Sequence, residues 1–124
     1  MGFRVDIALL SDNFSPLTQV RSPMLTTSYV YEKLSTAVQS LATNTENLQT
    51  RLEFAYTGAL IRLTEDDFAK ADQKKLFGEI KEVITAIDGN SELGSVRATL
   101  NKMSDDAARE LAKKVFELYT SILR

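Results

Sequence analysis

The most continuous apolar pattern in the chain runs from Leu48 to Leu63, LQTRLEFAYTGALIRL. On a helical wheel Leu48, Leu52, Ala55, Tyr56, Ala59, Leu60 and Leu63 form one broad arc. Phe54 and Ile61 leave from nearly the opposite side, with Gly58 close to them. A helix apolar on one stripe lies on a surface, while one apolar most of the way round is enclosed by neighbours. The pattern therefore predicts a central helix over 48–63 around which the other elements pack.

Upstream, residues 3–10 (FRVDIALL) fit two templates. Phe3, Val5, Ile7 and Leu9 alternate as in a strand, while Phe3, Ile7 and Leu10 suit a short helix. A lone strand would need another chain to pair with. The SDNFSP stretch that follows reads as loop, so residues 1–21 are expected to form an N-terminal arm. Ser22-Pro23 then opens a helix, Ser as cap and Pro at the first helical position. Thr27, Val30, Tyr31, Leu34, Ala37, Val38 and Leu41 share its inner face. Tyr29 sits on the outer one, and Glu32 and Lys33 are the only charges between residues 22 and 45. So bare a helix is either held by packing or meets a partner.

A break is expected at ATNTE, 42–46, with Asn44 or Thr45 capping the central helix; the alternative is one continuous helix, since only Thr and Asn interrupt it. Thr64 followed by Glu65, Asp66 and Asp67 is an N-cap ahead of carboxylates at the positive end of a helix dipole. The stripe Leu76, Phe77, Ile80, Val83, Ile84 and Ile87 continues that helix to a Gly89-Asn90 stop. A shorter helix spans Glu92 to about Met103, with Leu93, Val96, Leu100 and Met103 on one side and its start weakened by Gly94. Ser104 caps a last one with Ala108, Leu111, Val115, Leu118 and Ile122 inward, and with Phe116 and Leu123 widening the apolar arc toward a second neighbour. Charges four apart (Asp66–Lys70, Lys75–Glu79, Asp105–Arg109, Glu110–Lys114, Lys113–Glu117) are expected to pair along the outer faces. The fold class is all-α: an antiparallel bundle of four to five helices over 22–124 with a short N-terminal arm.

Composition agrees with one ordinary globular domain. The 124 residues are 44% apolar and 26% charged, enough to bury a core without staples. Fifteen Lys and Arg against seventeen Asp and Glu leave a net charge of −2, without the basic excess of a nucleic-acid binder. No apolar run reaches the roughly 20 residues of a membrane span and no leader pattern stands at the N-terminus, so a cytoplasmic protein is expected.

The chain has no Cys and no His, which removes thiolate chemistry, the commonest general base and the commonest transition-metal ligand. No phosphate-binding loop, dinucleotide turn or nucleophile elbow is present. Glu79 and Glu82 stand three apart, like the E-x-x-E step of the all-α MazG-type pyrophosphatases. The acidic second step of that pattern is missing, since Glu92 is followed three on by Ser95, Glu110 by Lys113 and Glu117 by Thr120. The TEDD run at 64–67 reads as solvated capping carboxylates rather than a cation site. Arg51 and Arg62, at the edge of the central apolar arc, read as structural side chains whose stems lie on the core. No catalytic residue, metal ligand or cofactor is expected.

The chemistry left is recognition. Phe54 and Ile61, with Gly58 thinning the surface between them, would make a notch on the outer side of the central helix, and Tyr29 is a second aromatic placed off the core stripe. These four form the expected interface, covered by the N-terminal arm, by a second copy in a homodimer or by another protein. The function expected is that of a small non-enzymatic protein–protein interaction or regulatory protein. Two alternatives stay open: an accessory of a large assembly (a secretion chaperone, or a virion or appendage component), and a magnesium-dependent carboxylate enzyme acting on a phosphorylated small molecule.

Overall fold

The computed structural model describes residues 23–123, with side-chain surroundings from residue 28 onward. The arm expected over 1–21 and the Ser22 cap lie outside the described residues. Five α-helices follow one another: α1 Pro23–Thr43, α2 Leu48–Gly58, α3 Ala71–Ile84, α4 Glu92–Lys102 and α5 Asp105–Leu123. Two 3-10 turns, Leu60–Arg62 and Glu65–Asp67, link α2 to α3. No strand occurs among the described residues, and none of their helices is long and apolar enough to cross a membrane.

Cross-helix pairs show that neighbours run antiparallel. Gln49 Nε2 donates to the Met103 carbonyl at 3.0 Å, Arg97 Nε to Glu53 Oε2 at 3.1 Å and the Tyr56 hydroxyl to Glu92 Oε2 at 2.5 Å. Rising numbers on α2 thus meet falling numbers on α4. Gln73 reaches Ser121 and Lys114 reaches Glu79, which sets α3 against α5 in the same sense. Helix α2 packs against α1, α4 and α5. It is the centre that the apolar pattern predicts, and Leu52, Ala55, Tyr56, Ala59, Leu60 and Leu63 are all about 1% exposed.

The helix itself is shorter than that arc. It ends at Gly58, and Ala59 leaves helical geometry at φ −143°, ψ −59°. The 3-10 turn that follows places Leu60 and Leu63 one above the other, since positions three apart eclipse in that geometry, and both stay in the core. The N-cap is Asn47 rather than Asn44 or Thr45: its side chain accepts from the Thr50 N–H at 2.9 Å.

The helix expected from Thr64 to Asp88 is likewise divided. Asp67 turns back to accept the Thr64 N–H at 2.8 Å, closing a single 3-10 turn, and Phe68 is extended at φ −98°, ψ 138°. Phe68 and Phe77 show why. On one continuous helix they would point in opposite directions, nine residues apart at 3.6 per turn. With the chain broken between them both are buried, their rings 5.1 Å apart. At its other end α3 stops at Ile84, because α4 takes over the donors of the next segment. Thr99 Oγ1 accepts the Ile87 N–H at 2.9 Å and Ser95 Oγ the Gly89 N–H at 3.0 Å, from hydroxyl side chains that are themselves buried.

Helix α4 begins at Glu92, capped by Ser91, which accepts the Gly94 N–H. Gly94 does not delay it. The expected i,i+4 ion pairs are also redistributed. Among the described residues Arg109 pairs with Asp106 at 2.8 Å, Lys113 with Glu110 at 3.6 Å and Lys114 with Glu79 on α3 at 3.4 Å. Four side chains expected on inner or contact faces are exposed instead, Tyr31, Val83, Leu93 and Phe116, and Leu123 is 56% exposed.

Tyr56 joins three helices through one carboxylate. Its hydroxyl meets Glu92, and Glu92 lies 3.9 Å from Lys81 on α3. Burial first, and then the hydrogen bond and charge of Glu92, push the Tyr56 hydroxyl far above its ordinary pKa of 10. The unfolded chain releases this proton near pH 10 while the folded chain keeps it. Stability from this source is therefore complete below pH 10 and falls as pH rises beyond it. Tyr56→Phe is expected to cost about 1.5 kcal/mol at neutral pH and to flatten the alkaline side of a plot of melting temperature against pH.

Candidate functional site

The four residues expected to form an interface come from three elements: Tyr29 from α1, Phe54 and Gly58 one turn apart on α2, and Ile61 from the 3-10 turn beyond it. Because α2 ends at Gly58, Phe54 and Ile61 are not stacked on a common helical face. Phe54 is 47% exposed, whereas Ile61 is half-buried against the core. Gly58 is exposed, and a Cβ added to it would meet nothing within 4 Å. Tyr29 and Gly58 are nevertheless linked. The Tyr29 hydroxyl donates to the Arg62 carbonyl at 3.3 Å, and Arg62 Nη1 donates to the Gly58 carbonyl at 3.0 Å. Arg51 behaves similarly at the end of α1, donating from Nη1 to the Leu41 carbonyl at 2.7 Å. Both arginines thus satisfy carbonyls that a helix C-terminus leaves open. The expected notch is a capped helix end, one turn beyond Phe54.

The carboxylates do not gather into a centre. Asp67 is occupied with Thr64 and Glu79 with Lys114. Among the described residues no group of three acidic side chains is close enough to hold an ion. A polar recess of about 240 Å³ lies where α2 and α5 begin and α4 ends, and Gln49 spans it, with Nε2 on both the Met103 carbonyl and Asp105 Oδ1. That amide locks three helix ends together.

A larger feature lies between α1 and α5. The two helices run antiparallel, with the Tyr31 and Tyr119 rings stacked 6.0 Å apart near one end of the seam. Toward the other end they part over a groove of about 590 Å³. Val38, Leu41 and Leu48 contribute one wall, Ala112 and Phe116 the other, and the lining is almost wholly apolar. Phe116 is 54% exposed, and its ring lies 6.4 Å from that of Tyr119, so the aromatic edge continues out of the groove. Charge is confined to the α5 rim at Arg109, Lys113 and Glu117. The α1 wall adds none, because no charged residue occurs from Leu34 to Thr45.

The volume falls within the range of small-molecule sites, but such sites also hold a few convergent polar groups that fix a ligand's orientation. Here the rim cations lie along α5 itself, Arg109 on Asp106 and Lys113 on Glu110. An open apolar trough between two antiparallel helices suits the ridge of a third helix, whose side chains settle into the space between theirs. In sequence the signal was a second spacing on each helix: Tyr31, Ser35, Val38 and Ala42 on α1, and Ala112, Phe116, Tyr119 and Leu123 on α5. Assigning Tyr31 and Val38 to the core face concealed it. Compared with family models, with curated proteins and with solved structures, the chain matches none of them.

Proposed function

We propose that this chain is a non-enzymatic protein-interaction domain that binds a helix of its partner in the α1/α5 groove. The observation that carries the reading is the open apolar groove with Phe116 on its edge, half in water. Covering the exposed half of that ring would contribute on the order of 1 kcal/mol, and the remaining apolar lining adds to it. The near absence of charge on α1 supports the same reading, since charged residues are depleted at the centres of protein interfaces.

The test is site-specific photocross-linking in the cells the chain comes from. A photoreactive residue at Val38 should yield a discrete adduct that disappears with Phe116→Asp. The same probe at Glu82, exposed on α3, should yield none. Equal labelling at both positions, or an adduct indifferent to Phe116→Asp, would remove the groove from consideration.

A further inference from the structure

We infer that the occupant of the groove is a second copy of this chain, docked through α5 in antiparallel orientation. The inference rests on reading the groove as a binding surface. Such a groove accepts a helix that presents apolar side chains at alternating steps of three and four. Helix α5 is such a helix twice over. Its inward stripe, Ala108, Leu111, Val115 and Leu118, is buried in its own bundle. Its second stripe, Ala112, Phe116, Tyr119 and Leu123, has the same kind of spacing; Ala112 and Phe116 line the groove, and Phe116 and Leu123 are more than half exposed.

The charges beside that stripe are self-complementary. In a two-fold interface, if one residue meets another, the reverse contact also forms. With the axis at the level of Val115, Lys113 of each copy lies opposite Glu117 of the other, so the pair occurs twice. The two Phe116 side chains then sit one residue either side of the two-fold axis, about 3 Å apart along the helix direction at 1.5 Å per residue, close enough for their rings to pack. Glu117 makes no ion pair among the described residues, and Lys113 is held only by exposed Glu110 at 3.6 Å. The uncharged wall of α1 approaches the same interface without burying an ion.

Sedimentation of the full chain across the micromolar range tests the arrangement. Wild type should sediment as a dimer that dissociates on dilution. Phe116→Asp should be a folded monomer, since its side chain is not part of the core. Lys113→Glu alone and Glu117→Lys alone should each weaken association by about tenfold or more, and the two together should restore it. Should Phe116→Asp lose its helical circular dichroism, the charge reversals, both on exposed positions, carry the test. A wild type that stays monomeric overturns the self-pairing, as does a dimer unmoved by either single reversal. If that monomer still gives a Val38 adduct with a different protein, the groove reading survives and only the second copy is lost. With no adduct, both fail.

Discussion

Ala55→Asp should leave the protein largely unfolded under conditions where the wild type is native. Ala55 lies in the middle of α2, is 1% exposed and belongs to the core cluster. The helix is enclosed on that side by α1, α4 and α5, so a carboxylate there has neither water nor room. It must stay ionised without a partner or take up a proton, and either outcome costs several kcal/mol before the extra volume is counted. At the usual ~0.05–0.15 kcal/mol per residue, the bundle over 22–124 has only about 5–15 kcal/mol to lose. The adjacent position supplies the contrast. Phe54→Ser, on a side chain 47% exposed, should shift the melting temperature by no more than a few degrees. A melting curve for Ala55→Asp close to that of wild type would mean that α2 is not enclosed.

Gly94→Ala is expected to destabilise by about 2 kcal/mol, against the direction of helix propensity. Inside α4 an alanine should by itself gain roughly 1 kcal/mol over glycine. The chain passes too close for it. A Cβ on Gly94 would stand well inside contact distance of the Gly89 carbonyl oxygen, and 3.1 Å from Ser91 Oγ. A Cβ on Gly89 would meet the backbone of Gly94 and Ser95 in turn. Relieving the overlap means parting the 89–94 loop, which strains the Gly89 N–H bond to Ser95 Oγ as well as the cap. Both substitutions open the same gap, so the double variant Gly89→Ala with Gly94→Ala should cost less than the sum of the singles in chemical denaturation. A Gly94→Ala protein more stable than wild type would show the loop to be free to move.

The Gly89–Gly94 approach marks where local pattern stops being informative. Read along the chain, Gly94 is a weak helix residue and Gly89-Asn90 a helix stop. Only the return of α4 beneath the loop makes the pair a contact. Asn90 does adopt the left-handed backbone a turn asks for, at φ 75°, yet α3 has ended by then at Ile84. Thr99 and Ser95 offer acceptors there that no local rule could supply. Leu63 and Phe68 are similar. Both are buried, but the chain between and after them bends to point Phe68 at Phe77.

Apolar periodicity by itself determined much of what leaves water: the central arc (Leu48 excepted), Ala108, Leu111, Val115 and Leu118 on α5, and half of the described stripe residues on α1 and on α3 are buried where the spacing put them. It also determined the all-α class, because a stripe of period 3.6 can be covered only by packing against others like it, and it limited the helices to four or five, of which the structure has five. The tertiary structure decided where helices break, since a helix continues only while its next residue finds a better partner along the axis than across the bundle. It decided the candidate site for the same reason. Val38 and Phe116 have the spacing of core residues. Whether such a stripe is covered depends on how many helices surround it, and along the α1/α5 groove the bundle leaves theirs open.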